Sequence, residues 1–275
     1  MLHRAALAVL LLVFAAFAVD GFWLEPSSLK LARYDIPVDA PLLKGITIAV
    51  ISDLHAGAPY IDAAKIDRVV AMTNAARPDL ILLTGDYVIT GVLGGRHMPI
   101  EEIARHLKPL HAPLGVYAVM GNHDRGENAG HIAAVLTQTG ILDLENRPVV
   151  ISTARGPLYL VGIGDYHSGA SHPPRAFRTV PALTAAICFT HSPDSLPILP
   201  QTCALTVAGH THGGQVLLPI LGRPGVDIAS LYGQRYAIGT VKEEGKTMFI
   251  SPGIGTSIMP LRFRVPPEIS FLTIR

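Results

Sequence analysis

Five polar clusters interrupt the apolar stretches of this 275-residue chain, and between them they hold side chains that bind cations. "SDLH" contains Asp53 and His55, "GD" ends on Asp86, and "GNHD" supplies Asn122, His123 and Asp124. "THS" adds His191, and "GHTHGG" carries His210 and His212. Any one cluster has the composition of an ordinary turn. As a set, Asp53, His55, Asp86, Asn122, His191, His210 and His212 combine hard oxygen donors with imidazole nitrogens and no thiolate, a mixture suited to divalent first-row ions such as Mn, Fe, Zn or Co. Seven ligands exceed the three or four that one zinc ion takes. The count therefore predicts two divalent metal ions sharing a bridging carboxylate, and Asp86, on the strand between the other clusters, is the expected bridge. Asp53 and His55 stand two apart, so an extended backbone would aim both at one side.

The elements that must position these residues are legible from their hydrophobic patterns. "KGITIAVIS" (44–52) and "DLILLTGD" (79–86) read as strands covered on both faces. Helical spacing predicts helices over 61–76, 100–107 and 129–139, the first closing ahead of Pro78 and the last at Gly140. With "GVYAVMGNHD" as strand plus loop, the order is β-α-β-α-β, which predicts a parallel sheet with right-handed crossovers. Ligands in such sheets gather at the carboxyl ends of the strands, where these clusters fall. Beyond Gly140 short strands dominate. "ILDLENRPVVIS" and "GPLYLVGIGD" read as hairpin neighbours, followed by "AICFTHSPD", "ALTVAGHTH", "KTMFISPGIG" and "PEISFLTIR". The expected fold class is α/β: a two-sheet β-sandwich flanked by helices, one catalytic domain over residues 26–275.

A formal net charge of +1 and a pI near 7.9 provide no basic field for nucleic acid, so no nucleic-acid partner is expected. Cys188 and Cys203 lie in apolar strand-like runs and read as small buried hydrophobes rather than a disulfide. The amino terminus is a separate object over residues 1–25. After Arg4, residues 5–19 are uninterrupted apolar, and the run resumes past Asp20 as "GFWL". A signal segment cleaved after "AFA" and an uncleaved N-terminal membrane anchor helix both fit; Phe22 and Trp23, placed where interfacial aromatics lie, favour the anchor. Arg4 at the extreme start places the body on the outer, periplasmic or extracytoplasmic, side of the cytoplasmic membrane.

In this order the motifs "SDLH", "GD", "GNHD", "THS" and "GHTHGGQ" resemble the calcineurin-like metallophosphoesterases, from about Thr47 to the C-terminus. The extended "GHTHGGQ…LP" and the closing "PLRFRVPPEI" (260–269) are similar to the membrane-anchored bacterial branch. The resemblance implies that Asp53, His55, Asp86 and His212 hold one ion and that Asp86, Asn122, His191 and His210 hold the other. It implies that His123 is a non-ligand histidine that contacts the phosphoryl group and assists the leaving group. The activity it implies is hydrolysis of phosphate mono- or diesters by water activated between the ions. Gly213 and Gly214 are expected to keep side chains clear of the substrate. "YVITG" after Asp86 puts Ile89 and Thr90 where the phosphoprotein phosphatases carry acidic and basic residues, which argues against that branch. The tether points to an amphiphilic, lipid- or nucleotide-linked envelope phosphate ester. A UDP-2,3-diacylglucosamine pyrophosphate hydrolase is the alternative activity, and a non-catalytic metal-binding scaffold the second.

Other polar residues carry weaker expectations. Asp124 either orients a histidine or is an unpartnered loop carboxylate, and Arg125 is a candidate for neutralising a second phosphate. The stretch 162–172, with Asp165, His167 and His172, reads as a substrate-side wall or a solvated loop. His97, His106, His111 and His131 read as surface residues. Arg262 and Arg264 alternate with apolar neighbours, which predicts one exposed strand face.

Overall fold

The computed structural model describes residues 2–275. Twelve strands form two six-stranded sheets. The first comprises β1 (Lys30–Ile36), β2 (Thr47–Ile51), β3 (Leu80–Leu83), β4 (Val116–Ala118), β5 (Leu142–Asp143) and β12 (Glu268–Ile274), in the order β1-β12-β2-β3-β4-β5. The second comprises β6 (Arg147–Thr153), β7 (Gly156–Gly162), β8 (Ala186–Phe189), β9 (Cys203–Ala208), β10 (Gly239–Glu243) and β11 (Lys246–Ile250), in the order β10-β11-β9-β8-β7-β6. β2 through β5 are mutually parallel, and so are β7, β8, β9 and β11.

Burial on both faces explains the near-continuous apolar runs. One face of the first sheet meets the second sheet through Ile48, Val50, Leu80 and Leu82 against Leu160, Ile187, Phe189 and Leu205. Its other face, with Ala49, Ile51, Ile81 and Leu83, is covered by helices Ala63–Ala76, Ile100–Leu107 and Ala129–Gln138 through Ile66, Val69, Ile103, Leu107 and Leu136. Each of the Val, Leu, Ile and Phe side chains among these, withdrawn from water, stabilises the sandwich by about 1.5–3 kcal/mol. The helices fall where their spacing predicts, and Asp62 caps the first by accepting from the Lys65 amide at 2.8 Å.

Two expectations need correction. "ILDLENRPVVIS" is not one strand: Leu142–Asp143 closes the first sheet beside β4, whereas Arg147–Thr153 pairs with β7 in the second. The chain switches sheets at Asn146, held at φ 53°, and period alone cannot show which partner a strand segment takes. Cys188 and Cys203 are buried as expected but joined as a disulfide, with Cα atoms 5.6 Å apart on the adjacent strands β8 and β9. An irregularity in the β8–β9 register, after Ala186, accompanies this lateral closeness, which no one-dimensional pattern reveals.

The amino-terminal segment is a continuous helical run: Leu2–Val19, a π-helical turn at Asp20–Leu24 and a last turn at Glu25–Ser27. Residues His3–Ser27 form a helix long and apolar enough to cross a bilayer. Leu7, Leu10, Leu11, Leu12, Val13 and Phe14 are exposed, so this helix is no part of the domain's core.

Candidate metal centre

All the sequence-predicted ligands follow the carboxyl ends of five strands, three from the first sheet and two from the second. Asp53 and His55 follow β2, Asp86 follows β3, Asn122 follows β4, His191 follows β8, and His210 and His212 follow β9. They converge where the two sheets' carboxyl edges meet. Asp53, His55 and His212 form one compact cluster, and Asp86, His191 and His210 a second. Asp86 stands between them, with its Oδ2 3.5 Å from His55 Nε2 and 3.2 Å from His191 Nε2. His55 Nε2 lies 3.1 Å from His212 Nε2, and His212 Nε2 lies 3.6 Å from Asp53 Oδ1. On the other side, His191 Nε2 is 3.1 Å from both Asn122 Oδ1 and His210 Nδ1.

These spacings fit divalent ions. A metal–nitrogen bond of about 2.1 Å gives cis ligands separated by roughly 3.0 Å in an octahedron and 3.4 Å in a tetrahedron, and the donors here are spaced accordingly. The imidazoles crowd their ring nitrogens together, Nε2 to Nε2 for His55 and His212 and Nε2 to Nδ1 for His191 and His210, while His55 Nδ1, His210 Nε2 and His212 Nδ1 are buried without any hydrogen-bond partner. Buried polar nitrogens are ordinarily satisfied, so rings that each leave one nitrogen unpaired and crowd the other against a neighbouring imidazole are arranged for a cation.

The backbone is strained to achieve this. Asp53, His55, Asp86, His210 and His212 all have positive φ, between 44° and 71°. Non-glycine residues there cost of order 1–3 kcal/mol each and persist only where surroundings over-determine them. Asp53 and His55 therefore do not sit on an extended strand, as their spacing suggested; the chain turns sharply after Ile51, and left-handed turns aim both side chains inward. Neighbouring backbone fixes each turn. Asp53 N–H donates to Gly85 O at 3.0 Å, His55 N–H to Asp86 O at 3.0 Å, and His210 N–H to the Asp53 carboxylate at 3.1 Å. Gly121 packs so closely on Asp86 that a β-carbon there would overlap the carboxylate.

A ring of supporting groups escaped sequence reasoning. Thr84 O accepts from His191 Nδ1 at 2.8 Å, leaving Nε2 to face Asp86. Ser52 Oγ donates to Asp53 and accepts from Thr84 Oγ1 at 2.6 Å. Thr90 Oγ1 contacts His123 Nδ1, so the residue noted only as departing from a phosphatase motif holds the expected proton donor. His123 is half-buried beside the centre, its ring centroid 4.7 Å from that of His55, and its backbone N–H donates to Asp86 Oδ1 at 2.9 Å.

Asp124 is no free carboxylate. It is fully buried and accepts from the amides of Asp86 at 2.8 Å, Tyr87 at 2.8 Å, Val88 at 3.3 Å and Gly121 at 2.9 Å. Arg262, expected on an exposed face, is buried instead. Its guanidinium donates to the carbonyls of Gly255, Val265 and Pro252, pinning the loop whose Gly255 N–H donates to Asp53 O at 2.6 Å. Alternation fails as a guide because 260–265 is a loop and no strand. Arg264 is exposed as expected. Arg125 pairs with Glu145, away from the centre. His97, His106 and His131 lie away from the centre, each beside a carboxylate: Glu127, Asp67 and Glu101 respectively. Gly213, at φ 57°, packs against Val265, whereas Gly214, at φ 72°, packs against Val226 and also lines the cavity over the centre.

In the protein alone, burial pushes His55 down to about 4, and burial together with the neighbouring His191 charge pushes His210 down to about 3. His212 is likewise held well below the usual range by burial and His55. Burial opposes charge on His191 too, but Asp86 overcomes it and holds the imidazolium well above its ordinary value. The same pairing keeps Asp86 well below the carboxylate range despite burial. Asp53 is pushed up to about 6 by burial, against the attraction of His191.

Over this centre lies a cavity of about 400 Å³. Asp86, Asn122, His123, His210 and His212 supply its polar part, and Val216, Ile228, Ile258, Met259 and Leu261 its apolar wall. His167 also lines it, its ring centroid 5.0 Å from that of His210. Asp165, buried below, holds that loop by accepting from Ser168 N–H at 2.7 Å.

Comparison with known proteins agrees with this geometry. The sequence profile described as calcineurin-like phosphoesterase matches residues 46–233. The chain is 31% identical to "Phosphodiesterase YaeI" of Escherichia coli, over 91% of this chain and 90% of that protein. It is 28% identical to "Uncharacterized metallophosphoesterase YkuE" of Bacillus subtilis, over 84% of this chain and 79% of the other. It is 26% identical to "UDP-2,3-diacylglucosamine pyrophosphatase LpxG" of Chlamydia trachomatis, over 96% of each. The chain belongs to the calcineurin-like phosphoesterases, hydrolases of phosphoric esters that use two divalent metal ions.

Proposed function

We propose that this protein is a membrane-tethered phosphohydrolase in which Asp53, His55, Asp86 and His212 hold one ion and Asp86, Asn122, His191 and His210 the other. The observation that carries this reading is the place of Asp86 Oδ2, within 3.5 Å of one histidine from each cluster. Bound there, two divalent ions would supply a nucleophile from water at neutral pH and offset charge on the phosphoryl oxygens. The chain's own residues do the rest. Asp124 and Gly121 fix the Asp86 turn, and Thr84 fixes the His191 tautomer. His123, its Nδ1 engaged by Thr90, retains Nε2 to give a proton to the departing oxygen, a contribution of about 10²–10⁴-fold.

The domain division at residue 25 and the anchoring of residues 1–25 belong to the same proposal. The exposed apolar helix supports anchorage, and the Cys188–Cys203 disulfide supports an extracytoplasmic body, since such bonds persist in oxidising compartments. The tether, the apolar wall of the cavity and a relative named for a diacylglucosamine substrate favour a lipid-linked phosphate ester. The test is hydrolysis of a nitrophenyl phosphate mono- or diester by the purified full chain with added Mn²⁺. Turnover should vanish on chelation and in Asp86→Asn; an Asp86→Asn protein with full metal-dependent turnover would refute the assignment.

A further inference from the structure

The anchor helix and the cavity are joined through a single segment, residues 258–265. Gly21 lies against Leu261, a cavity-lining side chain, and its carbonyl accepts from Arg262 N–H at 2.9 Å. The Glu25 carboxylate accepts from the amides of Arg264 and Val265. Deeper along the helix, the Phe17 ring packs on Phe263 at 4.7 Å between centroids. Phe17 stands eight residues before Glu25, about 12 Å along the helix axis, inside the apolar run. If the helix spans a bilayer with Glu25 at the surface, Phe263 and whatever pairs with it lie at or below the headgroups.

Leu217 pairs with it, donating its N–H to Phe263 O at 2.9 Å. Leu217 opens a tight hairpin, closed by mutual Leu218–Gly222 hydrogen bonds, whose tip presents Ile220 and Leu221 at 105% and 71% exposure. Beside the cavity mouth, Leu93 and Ile258 are also exposed and are joined by the Leu93 N–H to Ile258 O bond of 2.9 Å. Scattered exposed hydrophobics are ordinary, but these are tied by hydrogen bonds or chain continuity to the 258–265 segment that packs on the apolar helix. Two of them, Ile220 at φ 71° and Ile258 at φ 64°, are β-branched residues in the left-handed region, a real outlier. Strain spent on holding isoleucines out in water indicates that water is not what they face.

We propose that the hairpin tip Ile220–Leu221, with Leu93 and Ile258, inserts at the headgroup–acyl boundary of the bilayer that the helix spans, so that the cavity opens onto the leaflet. The domain then draws an acylated phosphate ester directly from the membrane, phosphate to the metals and chain along Ile258, Met259 and Leu261. This rests on the anchoring reading above.

The experiment uses the full chain in phosphatidylcholine vesicles containing phosphatidylglycerol. In a Trp23→Phe background, Leu221→Trp should fluoresce blue-shifted and be quenched by lipids brominated near the headgroup end of the chains. Emission as in water, unquenched by every brominated lipid, overturns the proposal. In parallel, the double variant Ile220→Ser/Leu221→Ser should keep parental turnover of a water-soluble nitrophenyl ester and lose about tenfold or more on a phosphate ester embedded in the vesicle, as expected for two apolar side chains withdrawn from the interface. Equal turnover of the embedded ester by parent and variant also overturns it. Absence of soluble-ester turnover in the parent would count against the phosphohydrolase reading alone, because the quenching measurement is independent of it.

Discussion

Asp124→Asn removes one negative oxygen from the clamp around Asp86 while changing shape little. Four backbone amides converge on the Asp124 carboxylate, two on each oxygen: Tyr87 and Val88 on Oδ1, Asp86 and Gly121 on Oδ2. An amide keeps one acceptor and turns an NH₂ group toward the other pair of donors, leaving both unpaired in a fully buried site. Hydrogen bonds to a charged acceptor contribute about 1.5–3 kcal/mol each, so the loss is on the order of 3–6 kcal/mol. Burial, with the like charge of Asp86, pushes the Asp124 carboxyl up to about 7, which draws the expectation toward the lower end, about 3 kcal/mol. Part of that loss should appear at the metal centre, because the clamp holds Asp86 at φ 55°; removal of such a support typically weakens metal binding 10–100-fold. The assay is paired: chemical denaturation of chelator-treated protein, and titration of the apo protein with Mn²⁺ followed by turnover. A variant with parental stability and parental metal affinity would show that the four amide contacts hold nothing in place, and the account of how the Asp86 turn is fixed would be wrong.

His123→Gln should lower turnover about 10²–10⁴-fold on an alkyl phosphate ester and much less on a nitrophenyl ester, whose leaving group needs no proton; equal losses on both would remove His123 from that role. Metal loading should release protons: His191, held charged by Asp86, must give up its proton to bind, whereas His55, pushed down to about 4, is already neutral at pH 7. A raised value means the proton is present below it, so affinity should fall about tenfold per pH unit as pH drops below neutrality, and more steeply below about 6, where Asp53 also takes up a proton. Calorimetry in buffers of differing ionisation heat counts the protons, and zero release at pH 7 would contradict the assignment. Opening the disulfide with Cys188→Ala and Cys203→Ala should cost about 3 kcal/mol, the loop-entropy value for a 15-residue separation, read as an earlier denaturation midpoint; an unchanged midpoint would mean the bond does not form in the native protein.

Much of the centre was legible because its chemistry is dense in a few motifs. Asp53, His55, Asp86, Asn122, His191, His210 and His212 are each ordinary in a turn, but they recur together at the carboxyl ends of buried strands, and hydrophobic period located those strands to within a few residues. The helix over 100–107 matched outright. The supports were not legible. Thr84, Thr90, Ser52 and Asp124 are common turn residues whose partners lie tens of positions away, and nothing local separates an Asp accepting four amides from one facing water. Arg262 shows the same limit: its alternation with apolar neighbours was real, but the segment is a loop and the guanidinium turns inward to three carbonyls.

The sequence by itself determined which residues are candidate donors, the strand and helix rhythm and the apolar amino terminus, because each depends on residue type and local period. Tertiary structure decided how those donors divide, with Asp86 between two clusters, and joined Cys188 to Cys203. It also tied the hairpin of Ile220 and Leu221, through Leu217, to Phe263, on which Phe17 packs. These outcomes depend on which strand ends become neighbours and on left-handed turns at Asp53, Asp86 and His210, conformations that the residues themselves disfavour and only the packed surroundings impose.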